Sequence, residues 1–239
     1  MNPLINRVSQ YIDVDSEAFQ SIVRLPHRIE TKEAGQDIVV EGEKVDYIFL
    51  IESGWAIRYR MLDDGRRQII NFMLAGDCFD LMSINRAKSD HSVSAATKVT
   101  LRRIKASDFL RVIAGESQLA TAFWWVAIQE EAILREQIIR IGRRTARERI
   151  AHLILELNRR TSMAFGADGD ILHFPISQTH IADALGLSVV HVSRTLTRLK
   201  SEGLIKTTHN SVEILERDKM AEMSDFDSRY IHMEKLTLR

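Results

Sequence analysis

Cysteine is almost missing from this chain, with Cys78 alone among 239 residues. One cysteine makes no internal disulfide, no Cys-x-x-Cys zinc site and no four-cysteine iron–sulfur site. It is expected to be a small buried hydrophobe. Long apolar runs are missing too, and none approaches the roughly 18 uninterrupted apolar residues of a membrane span. The opening residues MNPLINRVSQYIDVD lack the basic-then-apolar layout of a secretion signal. A cytoplasmic location with no membrane partner is therefore expected. The 8 histidines are scattered, and no H-x-H or H-E-x-x-H run occurs. A jelly-roll enzyme of the cupin type needs such clusters to hold its metal, so no catalytic residue, metal or cofactor is expected.

Net charge is also absent, with 33 basic residues against 33 acidic, but the balance is local. Residues 140–210 hold 11 Lys and Arg against 6 Asp and Glu, while residues 1–139 hold 17 against 20. A positive region on a neutral chain suits phosphate contacts, although a solvated helix surface carries the same charges. Length allows one large domain or two ordinary ones, and 45% apolar residues suffice for their cores.

The texture changes twice along the chain. DSEAFQSIVRL (15–25) reads as a short helix capped by Asp15 or Ser16, with Phe19, Ile22 and Val23 on one face. From His27 to about Ile104, short β-branched and aromatic runs alternate with glycines. Gly42, Gly54, Gly65 and Gly76 lie 12, 11 and 11 residues apart, the rhythm of strand and turn in a sandwich or barrel. Asp63-Asp64-Gly65 marks a hairpin. A short helix is predicted from Ser107 to Gly115, a long one from Glu116 to Gly142 and another from Thr145 to Arg160. Leu119, Phe123, Val126, Ile133, Ile138 and Ile141 make a stripe on the long helix, interrupted by Glu130 and Gln137. The same helix of a second copy is expected to cover that stripe.

SQTHIADALGLSVVHVSRTLTRLK (177–200) reads as a helix-turn-helix. Ser177 and Ser188 are placed as N-caps. Gly186 sits at the turn, where a left-handed backbone is cheap only for glycine. Val192, Leu196 and Leu199 form the buried face of the second helix. The opposite face carries Val190, His191, Ser193, Arg194 and Thr197. Arg194 suits a guanine edge, and Val190 offers only a methyl contact. Gln178, Thr179, Ser188, Arg198 and Lys200 complete the candidate DNA contacts, mostly to phosphate. Two short β runs around Asn210 then predict a wing.

These residues together resemble the Crp/Fnr family of bacterial transcription regulators. The match spans nearly the whole chain and is strongest in DDGRRQIINFMLAGDCFD and ISQTHIADALGLSVVHVSRTLTRLKSEGLI. It implies an α+β architecture: an N-terminal β-roll, a double-stranded jelly roll acting as sensor (1–115), a long dimerisation helix (116–142), a C-terminal winged helix-turn-helix (143–223) and an extension (224–239). It further implies a homodimer that binds palindromic promoter DNA and touches RNA polymerase, as an activator. Cyclic-nucleotide-binding members carry a Gly-Glu pair and an Arg-Ser or Arg-Thr pair that cradle the phosphate. Asp80-Leu81 stands at the first pair, and Ser89-Asp90 or His91-Ser92 at the second. Leu134 and Arg135 stand where a Thr-Ser pair meets the base. Asp80 and Asp90 would repel a phosphate, so cyclic AMP is not expected to bind. Asp80, Leu81, Arg86, His91, Ser92, Leu134 and Arg135 remain the candidates for a pocket whose effector the sequence does not name. Valine at 190 replaces a family glutamate that accepts from cytosine, so the half-site of those relatives does not carry over. In the extension, Phe226, Tyr230, Met233 and Leu236 or Leu238 form an apolar strip, suited to docking on the reading head or to a frayed tail. The alternative function is a winged helix that contacts a protein partner.

Overall fold

A computed structural model describes residues 17–85, 87–165 and 169–231. The chain divides into two compact units. Among the described residues, the first comprises 17–58 and 72–131 and the second 59–71 and 132–231.

Eight strands build the β-roll: β1 (His27–Lys32), β2 (Asp37–Val39), β3 (Tyr47–Ser53), β4 (Ala56–Met61), β5 (Arg67–Met73), β6 (Cys78–Phe79), β7 (Ser92–Ala95) and β8 (Val99–Lys105). They form two four-stranded sheets, ordered β1-β8-β3-β6 and β2-β7-β4-β5. The alternation of β3 explains why its YIFLI run is apolar throughout. Phe49 and Ile51 point into the core between the sheets, with Phe79, Val93, Val99 and Leu101. Ile48 and Leu50 point to the other face, because successive side chains of a strand alternate. There they meet α1 (Glu17–Val23), α2 (Ala106–Gly115) and the first half of α3 (Ser117–Arg143) through Phe19, Ile22, Phe109, Leu119 and Phe123. Cys78 is buried in this second cluster. The proposed caps Asp15 and Ser16 lie outside the described residues.

Gly54 links β3 to β4 at φ +87°, and a Cβ there would lie 2.2 Å from the carbonyl oxygen of Lys98. Gly54→Ala therefore meets both backbone strain and a steric block that is main chain. A loss of well over about 1 kcal/mol is expected, read as a lower urea midpoint.

The long helix corrects one expectation. Leu119, Phe123, Val126 and Ile133 are buried within their own chain, so they are not the stripe awaiting a second copy. Of the predicted stripe, only Ile138 stands well exposed, at 67%, with Ile141 half-buried. The exposed row lies elsewhere: Trp124 at 72%, then half-buried Ile128, exposed Glu131 and Arg135, and Ile138. Their spacing of four and three residues is that of a coiled-coil seam. The helix has two apolar faces, and its own chain covers the richer one.

In the second unit, α4 (Ala146–Phe165) is buried through Ile150, Leu153, Ile154 and Leu157 as the spacing predicts. α5 (Gln178–Leu185) and α6 (Val189–Ser201) follow, then β10 (Ile205–Thr207), β11 (Ser211–Ile214) and α7 (Arg217–Ser224). The wing has a third strand that the sequence reading omits, β9 (Ile171–His173), in the sheet order β10-β11-β9. Its signal is the exposed–buried alternation of Ile171, Leu172, His173 and Phe174, only three residues of which pair. No helix among the described residues is long and apolar enough to cross a membrane.

Candidate nucleic-acid interface

α5 and α6 begin and end where local chemistry demands. The Ser177 side chain accepts from the His180 N–H at 3.2 Å, and the His180 ring accepts from the Ser177 N–H at 3.4 Å. This is a reciprocal capping box. Gly186, left-handed at φ +63°, ends α5, and the Leu187 N–H returns to Ala182 O at 3.1 Å. Ser188 caps α6 by accepting from the His191 N–H at 3.2 Å. Its hydroxyl is thus engaged in the fold, in a residue that is itself exposed.

The carbonyls at the C-terminal end of α5 lack helical partners, and other elements supply them. Gln68 Nε2 and Gln137 Nε2 both donate to Ala184 O, at 3.2 and 2.7 Å. Arg149 Nη1 donates to Leu185 O at 2.9 Å. Arg67 binds Asp183 at 2.8–2.9 Å. The first helix of the pair is therefore held at its far end, which fixes the platform against which α6 is oriented.

Val192, Thr195 and Leu199 are buried on α6, and Leu196 is half-buried. Val190 is 60% exposed, and His191, Ser193, Arg194, Thr197, Arg198 and Lys200 are exposed with it. Gln178 and Thr179 are exposed at the start of α5. All the predicted reading-head residues are thus accessible. Gln178, Ser193, Thr197 and Lys200 line one groove of about 190 Å³, together with Thr208 and His209 of the wing tip. Sequence reasoning missed those two. The hint was a short Thr-Thr-His-Asn turn between strands; Thr208 N–H closes it on Ser211 O at 2.9 Å.

The basic residues that crowd the start of α4 contribute less to the surface than their number indicates. Arg144 is buried on Glu136 at 2.5 Å. Arg149 is spent on carbonyls, and Arg147 pairs with Glu202. Arg198 also pairs with Glu202, at 2.9 Å.

His180 is pushed below the usual imidazole value by burial, with Arg67 adding to the effect. His152, wholly buried in α4, is lowered chiefly by burial as well. Groups lowered on folding contribute stability that is complete above their unfolded value near 6.5 and is lost as pH falls toward the folded one. Melting midpoints should therefore fall between pH 7 and pH 5, with Ser177 capping among the first features lost by amide exchange. A flat profile across that range would refute this.

Comparison with known proteins agrees with this geometry. Residues 148–223 match the Crp-like helix-turn-helix domain, and residues 29–116 match the cyclic nucleotide-binding domain. The nitrogen fixation regulation protein FixK of Azorhizobium caulinodans is 31% identical over 77% of this chain and 73% of its own. FixK of Rhizobium meliloti is 34% identical over 75% of this chain and 79% of its own. The chain belongs to the Crp/Fnr family of transcription regulators. Among solved structures, FixK2 from Bradyrhizobium japonicum superposes with a TM-score of 0.76 at 26% identity, covering 85% of this chain and all (100%) of that one.

In this Crp/Fnr regulator the residues expected at a phosphate cradle are engaged in contacts within the chain. Asp80 is buried at φ +66°. Ser83 Oγ donates to its Oδ2 at 3.1 Å, while Oδ1 has no hydrogen-bond partner among the described residues. Burial raises the Asp80 carboxyl against the opposing pull of Ser83, His91 and Arg58. That arginine is paired with Glu130 at 3.4 Å. His91 lies 2.7 Å from Asp90 through Nδ1, and its buried Nε2 also lacks a partner among the described residues. Ser92 Oγ accepts from the Glu41 N–H at 3.0 Å. Leu81 opens a 3₁₀ turn, Leu81–Asn85. The structure thus brings Asp80 and His91 within each other's field. Leu134 and Arg135 belong to the second unit, half-buried and exposed. Arg86 lies outside the described residues.

Proposed function

We propose that this regulator binds palindromic promoter DNA as a homodimer, inserts α6 into the major groove and activates transcription by touching RNA polymerase. The observation that carries the reading is the doubly capped α5–α6 pair, whose outward face is polar and fully accessible. The α3 row through Trp124, Ile128 and Ile138 supports the dimer, because apolar side chains this exposed gain from a matching surface. Relatives named transcriptional activators, AadR of Rhodopseudomonas palustris and FnrL of Cereibacter sphaeroides, support activation rather than repression. A regulator of chromosomal promoters acts in the cytoplasm, which is the location this reading implies.

Arg194 and Ser193 take base edges, Thr197 and His191 flank them, and Val190 meets a thymine methyl. Gln178, Thr179, Ser188, Arg198 and Lys200 hold phosphates. The effector pocket centres on Asp80 and His91 and takes a ligand other than cyclic AMP. The carboxylates of Asp80 and Asp90 would repel a phosphate placed beside them. Calorimetry with cyclic AMP should show no heat of binding, and micromolar affinity would overturn that assignment.

Ile138→Glu tests the dimer. It buries a charge in the seam of the pair while leaving the folded monomer's own core untouched. Sedimentation should show a shift to monomer, and gel shifts on a palindromic fragment should weaken by at least a hundredfold. A variant that stays dimeric and binds normally would refute α3 pairing. A wild-type monomer that binds single half-sites would refute the homodimer.

A further inference from the structure

A cluster of charged and polar groups lies buried where α3 ends and α4 begins. Arg140 is 2% exposed, Glu156 2% and His152 0%. Arg140 Nη2 donates to Glu156, and its Nη1 to Gln137 Oε1 at 2.6 Å. Arg140 Nε and Nη2 approach His152 Nδ1 at 3.2 and 3.0 Å. An arginine only donates, so Nδ1 is the accepting nitrogen and the proton sits on Nε2. That nitrogen lies 3.1 Å from Glu136 Oε1, which also takes Arg144 at 2.5 Å. Gln137 continues the chain to Ala184 O at 2.7 Å. The same contacts that lock the α3–α4 elbow therefore end on the first helix of the reading head.

The C-terminal segment closes this cluster. Asp225, left-handed at φ +51°, ends α7, and the Phe226 N–H returns to Ala221 O at 2.9 Å. The chain then crosses the elbow. Phe226 sets its ring edge-on to His152 at 5.1 Å, and Tyr230 stacks on the same imidazole at 6.0 Å. Tyr230 Oη donates to Glu156 Oε2 at 2.8 Å. Arg144 Nη2 donates to Asp225 O at 3.2 Å. Ile231 is wholly buried and anchors the end. Apolar anchoring alone would hold such a segment, yet its one phenol is aimed at the carboxylate that neutralises Arg140.

We propose that residues 225–231 are a strap that sets the α3–α4 elbow, and that Tyr230 is the positioning residue by which it does so. DNA reading then depends on a residue outside the helix-turn-helix, because the elbow decides where each α6 points. Without Tyr230 the Glu156 carboxylate keeps one donor fewer, and the arginine is free to move off Gln137. The strap serves the dimer on palindromic DNA and in that respect rests on the proposed function.

The full-length Tyr230→Phe variant keeps the ring against His152 and loses only the hydroxyl. A second variant ending at Ser224 removes the strap. Two readouts separate the strap from the dimer reading. Amide exchange across residues 140–148 needs no DNA; it should quicken about tenfold in Tyr230→Phe while the α6 amides keep wild-type rates. Affinity for palindromes of varied half-site spacing should fall about tenfold at the preferred spacing and less at the others. Unchanged exchange at the elbow overturns the proposal, whatever the DNA result. So does an equal loss at every spacing, which would mark the strap as fold support only. If wild type shows no spacing preference, the homodimer reading fails, and the exchange result alone decides the strap. If the truncated chain does not fold, Tyr230→Phe decides on its own.

Discussion

Replacing Arg194 with alanine should cost about 1–3 kcal/mol for each half-site bound, about fivefold to a hundredfold per half-site, with no loss of folding stability. The side chain stands exposed midway along α6, one turn beyond Val190 and beside Ser193. In the proposed docking the guanidinium takes the O6 and N7 acceptors of one guanine with two parallel bonds. Alanine leaves those acceptors to water at an interface that excludes most of it. Because a bidentate bond reads one base pair, the loss should be confined to it. Titrations against operators substituted at each position in turn should show wild-type discrimination everywhere except at that pair. Lys200→Ala is the control: a point charge on phosphate weakens all sequences alike and lowers the salt dependence by about one charge. An Arg194→Ala protein with full discrimination would mean that α6 docks with another face. Val190→Glu should act in the opposite sense, adding preference for a cytosine amine where valine has none.

The reading head was almost wholly legible before the coordinates because its signals are local. Serine caps, a turn glycine and apolar residues three and four apart act within a dozen residues, and the observed helices start one residue after Ser177 and Ser188. The β-roll was legible from its glycine rhythm, since strands and turns alternate at short range. The exposed row of the long helix was only partly legible for a physical reason. Periodicity finds apolar stripes but does not say which of two is covered by the chain's own helices; Ile138 lies in the predicted stripe and Trp124 does not, while Leu119 and Phe123 of that stripe are buried. The polar cluster was illegible altogether. Glu136, Arg140, Arg144, Glu156 and Arg160 read in sequence as charges on solvated helix faces, and nothing local shows that two helices and a strap 70 residues further on enclose them. Tyr230 appeared as part of an apolar strip, when its hydroxyl matters as much as its ring. Met233, Leu236 and Leu238 of that strip lie outside the described residues.

The cluster makes the second large prediction. Arg140→Met should destabilise the second unit by about 3–5 kcal/mol, because it leaves the Glu156 carboxylate buried without its main counter-charge. Burial by itself pushes that carboxyl up; Arg140, with Arg160, His152 and Tyr230, more than offsets this and holds it below the ordinary range. Remove the arginine and the group takes up a proton instead, so the variant's loss should shrink as pH is lowered toward 5. Equilibrium urea unfolding at pH 7.5 and 5.5 measures both effects. Removing the charges together should behave differently. Arg140→Met with Glu156→Leu exchanges an ion pair for apolar volume, which in buried sites is often close to neutral. Here the Tyr230 hydroxyl, His152 Nδ1 and Gln137 Oε1 each lose a partner, at about 1–3 kcal/mol apiece, and the buried Arg160 guanidinium loses the Glu156 carboxylate at 3.6 Å. Adding Tyr230→Phe removes the first penalty, so the triple variant should recover part of the stability lost by Arg140→Met, with Gln137, His152 and Arg160 accounting for the remainder. It should not recover DNA affinity at the preferred half-site spacing. Apolar contacts fill the elbow but have no direction, whereas Gln137, oriented by Arg140 and bonded to Ala184, ties the angle of the elbow to the helix-turn-helix. A triple variant that binds its palindrome as wild type does would show that the cluster serves stability alone.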